Sequence, residues 1–461
     1  MTPSSFTTNS AFKNDSTMPA VTAHPLDELV QPNRVHASLY TSEQIFADEM
    51  TQIFGATWVY VAHESEIPET NDFVRRRLGT RPIIVTRDRN DAVNVLINRC
   101  THRGATVCRV DSGNSKNFVC PYHNWSFDNT GKLVGVPMRR GYGPGFDIST
   151  MGLGRVRAES YRGFIFATLN PSMPSLTEHL GAATDLIDAW LDRWPGATLR
   201  VRSGQHRLSY RGNWKLTYDN SADGYHPGFS HASLLRMRKE RYGLGVDMQW
   251  VLGDVDSGDQ TVTDLGNGHT FLDQRAEIDA YWPSAAPMPG GDHYAALLRE
   301  RLGTEKADAA LEVAVGSGMN LNIFPNLLII GNQIQVIEPY SVTDTTLVWY
   351  STQLVADDLP AEINTLRMRL QEDFPAFGEP DDLANFEECQ VGLGVPEMEW
   401  VDTSRHIDTG RETVTAAGLP TAPVSSELPV RAFWREWKRI MTEQVKLSTL
   451  QPESSPQQEA S

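Results

Sequence analysis

Two short Cys/His pairs lie close together in the first third of the chain. Cys100 and His102 form a Cys-x-His pair, and after seventeen intervening residues Cys120 and His123 form a Cys-x-x-His pair. Each pair can present one thiolate and one imidazole from a tight turn, so that two sulfur and two nitrogen ligands meet at one point. This ligand set suits either a zinc ion or a [2Fe–2S] cluster, and the spacing alone leaves both open.

A second group of candidate ligands lies in residues 213–231, with the sequence NWKLTYDNSADGYHPGFSH. Asp223 precedes His226 by three residues, and His231 follows five residues after His226. Two imidazoles at this spacing converge only where the backbone departs from a regular helix, and the Pro-Gly step after the first histidine makes that possible. A histidine pair at this spacing would by itself be weak support for a metal site.

The residues around both groups resemble the Rieske-type aromatic-ring-hydroxylating oxygenases. NRCTHRGATVC and FVCPYHNWSFDNTGKLVGVP are similar to the Rieske loops of that family, and the Asn-Trp-Lys and Asp-x-x-His-x-x-x-x-His patterns of residues 213–231 are similar to its mononuclear iron segment. The resemblance implies a [2Fe–2S] cluster rather than zinc, with the two cysteines on one iron and the two histidines on the other. It also implies that His226 and His231 hold a catalytic Fe²⁺.

The resemblance further implies one acidic iron ligand late in the chain, which would complete a facial triad and leave positions open for O₂. The segment FGEPDDLANFEECQ places Asp381 and Asp382 at the start of a predicted helix. Capping and the helix dipole would account for Asp381. The family pattern points to Asp382 as the ligand.

Asp223 has two interpretations. Three residues before His226, it can orient an iron-ligating imidazole through a hydrogen bond, or it can cap the local turn. In the resembling oxygenases the matching aspartate bridges a histidine of the mononuclear site to a Rieske histidine of the neighbouring subunit. This implies that Asp223 lies on the electron route between the two metal centres.

The other cysteines and histidines have no ligand partners in the sequence. Cys108 and Cys389 are interpreted as small buried residues. The remaining histidines are interpreted as structural, among them His63, His206, His269, His293 and His406.

Composition places the chain among ordinary globular proteins. A formal net charge of −17 over 461 residues argues against nucleic acid as the main partner. No apolar run approaches the roughly 18 residues that a membrane span requires. The first residues lack the basic start and apolar stretch of a secretion signal, so a cytoplasmic location is expected.

The pattern of elements predicts an α+β fold, with an antiparallel β Rieske module ahead of a larger catalytic domain whose antiparallel sheet is surrounded by helices. Thr41 and Gln44 have capping-box spacing at the start of an amphipathic helix that ends at Gly55. The predicted divisions are a disordered leader (1–24), an N-terminal helix on the catalytic domain (25–56), the Rieske domain (57–170), the mononuclear iron domain (171–446) and a disordered tail (447–461).

The resemblance implies the terminal oxygenase of a ring-hydroxylating dioxygenase acting on O₂ and an aromatic, benzoate-like or aniline-like monocyclic compound. No Gly-x-Gly-x-x-Gly fingerprint follows a predicted strand, so NADH is expected to act through a separate reductase, with or without a ferredoxin. Relatives of this type pair with a small β subunit, which implies an α3β3 assembly, with α3 as the simpler form.

Two alternatives remain at this point. A Rieske monooxygenase or demethylase of the same superfamily would carry the same two groups of ligands. A non-enzymatic redox carrier or a zinc-binding protein would need only the first group, and the second group argues against it.

Overall fold

In the computed structural model, the described residues are 24–194, 196–201, 204–242, 260–273, 275, 291–314, 319–369, 374–443, 445 and 447. The predicted leader and tail lie outside them, apart from the innermost residues His24 and Leu447. Both predictions of disorder therefore stay predictions.

The described strands form five sheets, and every strand pair is antiparallel. The strands of the first half of the chain are β1 (Val30–Gln31), β2 (Arg34–His36), β3 (Val59–His63), β4 (Asp72–Leu78), β5 (Arg81–Arg87), β6 (Val93–Ile97), β7 (Ser112–Asn114), β8 (Asn117–Val119), β9 (Ser126–Asp128), β10 (Leu133–Gly135), β11 (Arg155–Tyr161) and β12 (Phe164–Thr168). Those of the second half are β13 (Thr198–Arg200), β14 (Gln205–Tyr210), β15 (Thr261–Gly266), β16 (His269–Asp273), β17 (Met319–Ile323), β18 (Leu327–Ile330), β19 (Gln333–Ser341), β20 (Asp344–Ser351), β21 (Gln353–Val355), β22 (Trp400–Asp402), β23 (Thr413–Val414) and β24 (Pro420–Pro423).

The described α-helices are mostly short, and all but the first two come after strand β12 in the chain. They are α1 (Ser38–Thr41), α2 (Glu43–Gln52), α3 (Leu176–Leu180), α4 (Ala183–Leu191), α5 (Trp214–Ser221), α6 (Pro227–Ser230), α7 (Ala232–Tyr242), α8 (Gly291–Leu302), α9 (Thr304–Ala314), α10 (Ile363–Arg369), α11 (Phe374–Phe377), α12 (Glu379–Gly392) and α13 (Leu428–Glu443). Among the helices that the structure describes, none is both long enough and apolar enough to cross a membrane.

The first β module is built on a seven-stranded sheet in the order β3-β12-β11-β6-β5-β4-β7, with a small sheet β10-β9-β8 beside it. The central strands are buried on both faces, as the adjacent Ile83, Ile84 and Val85 of β5 show. The two Cys/His pairs lie in the loop after β6 and in the turn between β8 and β9. The predicted antiparallel Rieske module is confirmed.

The larger unit is built on a nine-stranded sheet in the order β14-β20-β19-β18-β17-β16-β15-β24-β23. Its middle strands are buried on both faces, and a hydrophobic cluster joins them to helices α3, α4, α8 and α9 and to strands β3 and β12 of the first module. One hydrophobic core joins the two units, since it contains Val61 and Ile83 from the first and Phe433 and Trp437 from α13.

The cap predicted for α2 is wrong by one residue. Ser42, not Thr41, caps this helix, because the Ser42 side chain accepts a hydrogen bond from the Ile45 amide at 3.3 Å. Thr41 is the last residue of α1, which places it outside the capping position.

A fully buried carboxylate connects α2, α5 and α13. Glu49 accepts hydrogen bonds from Lys215 Nζ at 2.7 Å, from Trp214 Nε1 at 2.9 Å and from Trp437 Nε1 at 2.7 Å. Asn213 caps α5 by accepting from the Lys215 amide at 3.2 Å. The Asn-Trp-Lys pattern thus starts and anchors the helix that leads into the second group of candidate ligands.

Candidate metal centres

The two Cys/His loops share one backbone design. The Gly104 amide donates to the Cys100 carbonyl at 2.9 Å, and the Asn124 amide donates to the Cys120 carbonyl at 2.9 Å. Gly104 and Asn124 both have positive φ, at 78° and 57°, which are angles that glycine and asparagine tolerate best. Each loop therefore turns back within four residues of its cysteine and presents the histidine inside the turn.

The four candidate cluster ligands differ in their exposure to solvent. The Cys100 and Cys120 side chains are buried, whereas His102 and His123 are partly exposed, and their ring centroids lie 4.5 Å apart. Both histidine Nδ1 atoms are buried, and neither forms a hydrogen bond within the described residues. Nitrogen atoms in this state suit metal ligation, because a buried imidazole nitrogen otherwise requires a partner.

Aromatic side chains hold the two imidazoles. Trp125 stacks on His102 with centroids 4.8 Å apart and planes 8° from parallel, and Tyr122 lies against His123 at 3.8 Å. Partial burial, together with the nearby His123 and Arg103, lowers the pKa of His102. A neutral imidazole is the form that binds metal.

The spacing of the donor atoms favours a cluster over a single zinc ion. Groups of three donor atoms within 4.8 Å of one another occur at two places among the described residues, and neither place is the Cys/His loops. A tetrahedral zinc ion would need a more compact group. A two-iron cluster, with thiolates at one end and imidazoles at the other, fits a wider arrangement.

The second group of ligands is presented by a helix, a turn and one further helical turn. After α5 ends, Gly224 passes so close to another segment that a Cβ atom there would lie 2.6 Å from the Val424 carbonyl oxygen. His226 and His231 then flank α6, with Pro227 as its first residue. The Pro-Gly step thus begins a single helical turn, and the departure from a regular helix lies at His231, with φ −94° and ψ 20°.

The two histidines converge on one aspartate. His226 Nε2 lies 3.6 Å from Asp382 Oδ1, and His231 Nε2 lies 3.4 Å from Asp382 Oδ2. All three donor atoms of this group lie within 4.8 Å of one another. Asp382 is buried, and its Oδ1 accepts no hydrogen bond within the described residues. A buried carboxylate oxygen facing two imidazoles is suited to a divalent cation, so these residues fit the mononuclear iron that the sequence implies.

Each imidazole also faces a second carboxylate through its other nitrogen. His226 Nδ1 lies 3.4 Å from Asp223 Oδ2, and His231 Nδ1 lies 3.8 Å from Asp381 Oδ2. Carboxylates in this position orient ligand imidazoles and make them better electron donors. The pairing of Asp381 with His231 was not predicted, because no spacing in the sequence connects residues 150 positions apart.

The predicted capping role of Asp381 is wrong. Gly378 is the N-cap of α12, and Asp381 lies within the first turn, where it accepts a hydrogen bond from Ser233 Oγ at 3.2 Å. Its negative charge near the helix N-terminus remains favourable.

Asp223 lies near the groups that both of its interpretations name. Its Oδ1 accepts from the Tyr225 amide at 2.5 Å, which closes the turn, while Oδ2 faces His226. Burial opposes a charge on His226, but Asp223 and Asp382 outweigh it and raise the pKa of that imidazole. The bridge to a Rieske histidine of a neighbouring subunit stays a prediction.

Glu379 is a buried acidic residue near the site that was not predicted. Burial and the charge of Asp382 raise the pKa of Glu379 well above its ordinary value. The two residues lie three positions apart at the start of α12.

The cysteines outside the candidate ligands differ in exposure. Cys108 is buried and donates to the Val110 carbonyl at 3.4 Å. Cys389 is exposed, so its interpretation as a small buried residue is wrong. It lies seven positions after the buried Asp382, on the same side of α12 but nearer the end of the helix.

Comparison with protein families gives two matches. Residues 57–150 match the Rieske [2Fe-2S] domain, and residues 198–443 match the ring hydroxylating alpha subunit (catalytic domain).

The matches with individual relatives extend over different shares of each relative's length. The chain is 34% identical over 384 residues to the large subunit of 2-halobenzoate 1,2-dioxygenase from Burkholderia cepacia, covering 81% of this chain and 80% of the relative. It is 41% identical over 254 residues to the alpha subunit of N,N-dimethyl phenylurea N-demethylase from Sphingobium sp. (strain YBL2), covering 54% of this chain and 52% of the relative. The structure of naphthalene 1,2-dioxygenase from Rhodococcus sp. bound to indole matches with a TM-score of 0.72 and 26% identity, covering 88% of this chain and 94% of that one.

Fold and ligand groups together define an oxidoreductase with a Rieske [2Fe–2S] domain and a non-haem iron catalytic domain. The chain belongs to the family of ring-hydroxylating dioxygenase alpha (large) subunits.

Proposed function

We propose that the chain is the terminal oxygenase component of a dioxygenase that adds both atoms of O₂ to a monocyclic aromatic ring bearing a carboxylate or an amine. The convergence of His226, His231 and Asp382 in one buried group carries this proposal, because two imidazoles and one carboxylate leave positions open beside a divalent iron. The benzoate-type relative supports the substrate class.

In this proposal His226, His231 and Asp382 hold Fe²⁺, while Cys100, Cys120, His102 and His123 hold the [2Fe–2S] cluster. When bound, these groups supply one-electron transfer and the activation of O₂. The protein's part is to fix the ligands. Asp223 and Asp381 orient the two imidazoles from behind, and Trp125 holds a cluster histidine by stacking.

The reaction consumes one aromatic molecule, one O₂, two electrons and two protons, and it yields a cis-dihydrodiol. NADH supplies the electrons through a separate reductase, with or without a ferredoxin. The partly exposed histidine end of the cluster is the side from which electrons enter and leave, because the cysteine end is buried. A reductase that uses NADH in the cell interior fits the predicted cytoplasmic location.

Exposed apolar side chains beside both centres support an assembly of several copies, either α3 or α3β3 with a small β subunit. Tyr122 is 57% exposed and Met138 is 92% exposed near the Rieske loops, while Tyr225 and Phe229 are 45% and 52% exposed beside the mononuclear group. Apolar groups at such positions are typical of subunit interfaces. Contact between these surfaces would bring Asp223 of one subunit to a Rieske histidine of the next, as the family resemblance implies.

A second function is favoured by the 41% identity to the N-demethylase alpha subunit. Demethylation uses the same two electrons, two protons and O₂, but it releases one oxygen atom as water and the methyl group as formaldehyde. The residues that hold the metals would be the same.

Product analysis with labelled O₂ separates the two functions. The purified chain would be supplied with a Rieske-type reductase and offered benzoate, 2-aminobenzoate, a methylbenzoate and N,N-dimethyl-N′-phenylurea. A diol or catechol that contains two labelled atoms supports the dioxygenase. Formaldehyde, formed in equal amount to the NADH oxidised, supports the demethylase. If the enzyme converts none of the four compounds, both substrate proposals are contradicted.

A further inference from the structure

The second compact group of three ligands lies partly at the surface, apart from both groups of candidate iron ligands. His24, His36 and Glu399 each offer one donor atom, and these atoms all lie within 4.8 Å of one another. The same criterion selects His226, His231 and Asp382. Two imidazoles and one carboxylate form a recurrent ligand set for divalent transition metals, with water completing the coordination.

The imidazoles of this group have orienting partners on their Nδ1 atoms. His36 Nδ1 lies 2.8 Å from Ser38 Oγ, and His24 Nδ1 lies 3.6 Å from Glu28 Oε2. A ligand imidazole commonly donates one N–H to an oxygen in this way, which leaves its Nε2 lone pair for the metal. The Ser38 amide donates to His36 Nδ1 at 3.1 Å, so zinc binding at Nε2 requires the other tautomer, in which the Nδ1–H donates to Ser38 Oγ and the amide gives up this hydrogen bond.

An aromatic wall supports the group. Trp400 lies edge-on to His36 at 5.1 Å and to His24 at 5.9 Å, and the Arg34 guanidinium covers the tryptophan at 4.2 Å. The wall fixes both imidazoles on one side, while Glu399 is exposed and can turn toward them. The exposed position of Glu399 leaves room for this turn, which is needed because tetrahedral zinc holds its donors only about 3.3 Å apart.

The group joins distant parts of the chain. His36 ends β2, which pairs with β22 so that His36 lies opposite Trp400, and the Ala37 amide donates to the Glu399 carbonyl at 2.7 Å. β22 follows α12, which carries Asp382. A metal at this point would fasten the start of the described chain to the segment that follows the proposed iron-ligand helix.

We propose that His24, His36 and Glu399 form a surface zinc site that fastens the N-terminal segment to the β1-β2-β22 sheet. The surface position suits Zn²⁺ because this ion has no redox chemistry and therefore needs no protection from solvent. The proposal is independent of the catalytic function.

The test measures zinc in the untagged, iron-replete protein. Wild type, His36→Asn and Glu399→Gln would be equilibrated with Zn²⁺, separated from free metal and analysed for zinc, iron and sulfide. We expect one zinc per chain more in wild type than in His36→Asn, with equal iron and sulfide. In competition with a chromogenic chelator, Glu399→Gln should bind zinc at least about tenfold more weakly than wild type.

His293→Asn is the matched control, because His293 faces a single carboxylate, Glu362, at 3.7 Å and belongs to neither compact group of three ligands. This variant should retain all of its zinc. Glu399 is exposed, so Glu399→Gln tests the site even if His36→Asn folds poorly. Equal zinc content and affinity in wild type and Glu399→Gln would overturn the proposal.

Discussion

Replacing Lys215 with methionine tests whether the buried network around Glu49 holds the proposed iron-ligand helix in place. Methionine keeps the length and apolar character of the lysine stem but removes the ammonium group. The Glu49 carboxylate, which has no exposed surface, then keeps only the indole N–H groups of Trp214 and Trp437. A buried carboxylate without its cation is strongly disfavoured.

The expected loss follows from the number of donors that remain. Breaking a buried ion pair costs about 3–5 kcal/mol, and two remaining donors at 2.9 and 2.7 Å place this case near the lower value. Adding Glu49→Gln removes the stranded charge but keeps an acceptor for only one of the two indoles, because Trp214 and Trp437 donate to different oxygens of Glu49. The double variant should therefore regain roughly 1–3 kcal/mol relative to Lys215→Met alone.

The measurement combines urea unfolding with metal analysis. Tryptophan fluorescence would follow unfolding, and slopes would be compared to exclude a change of the unfolded state. Because α5 leads into the segment that bears His226 and His231, Lys215→Met should also lose mononuclear iron while the Rieske absorption stays near wild type.

The matched control is Arg211→Met, which removes an exposed ion pair two residues before the cap of α5. Arg211 is 81% exposed and lies 3.2 Å from Glu387, so its loss should cost less than about 1 kcal/mol. If Lys215→Met cost no more than this control and kept its iron, the buried network would not be what holds α5.

Four further outcomes are expected. His102→Ala should abolish the Rieske absorption and paramagnetic signals while mononuclear iron loading persists; an unchanged spectrum would contradict the ligand assignment. Asp382→Ala should lose mononuclear iron and activity with the cluster intact, whereas Asp381→Ala should bind iron about 10–100-fold more weakly, since it faces a ligand imidazole. Asp223→Asn should retain both metals but slow the single-turnover oxidation of the reduced cluster, and a normal rate would refute the bridging role. Burial lowers the pKa of His269 to about 3, below 6.5 in the unfolded chain, so stability should fall as the pH drops below 6.5, by about 2 kcal/mol at pH 5; His269→Asn should flatten this slope in urea titrations.

The ligand groups were accessible from the sequence where the ligands are close neighbours. The Cys-x-His and Cys-x-x-His pairs and the two histidines around Pro227 are local patterns, and the backbone turns that present them involve only a few residues. Asp382 was chosen through the family resemblance, because no local spacing connects it with His226. The structure brings them together across the packing of α12 against the segment after α5.

Contacts between distant segments account for what the sequence did not predict. His36 and Glu399 meet only because β2 pairs with β22, and a strand pairing of this separation leaves no periodic signal. The error at Thr41 has a different cause, since Thr41 and the adjacent Ser42 are both common cap residues and only the backbone decides which of them begins the helix. Cys389 was assigned to the interior from its residue type, but the buried positions of α12 are Glu379, Asp382 and Phe386, all nearer the start of the helix.

The buried network around Glu49 implies an order of folding events during synthesis of the chain. Glu49 comes from α2, Lys215 from α5 and Trp437 from α13, so three widely separated stretches of the chain must be present before the network is complete. The hydrophobic cluster around the Rieske loops, by contrast, takes all of its buried members from one stretch of the chain, between Phe73 and Leu153. During translation the nascent chain can therefore acquire its cluster early. The anchored helix α5, which leads to the proposed ligands of the second iron, is complete only after α13 has been made. Newly made protein would in this way not hold a complete oxygen-activating centre before the last helix is in place.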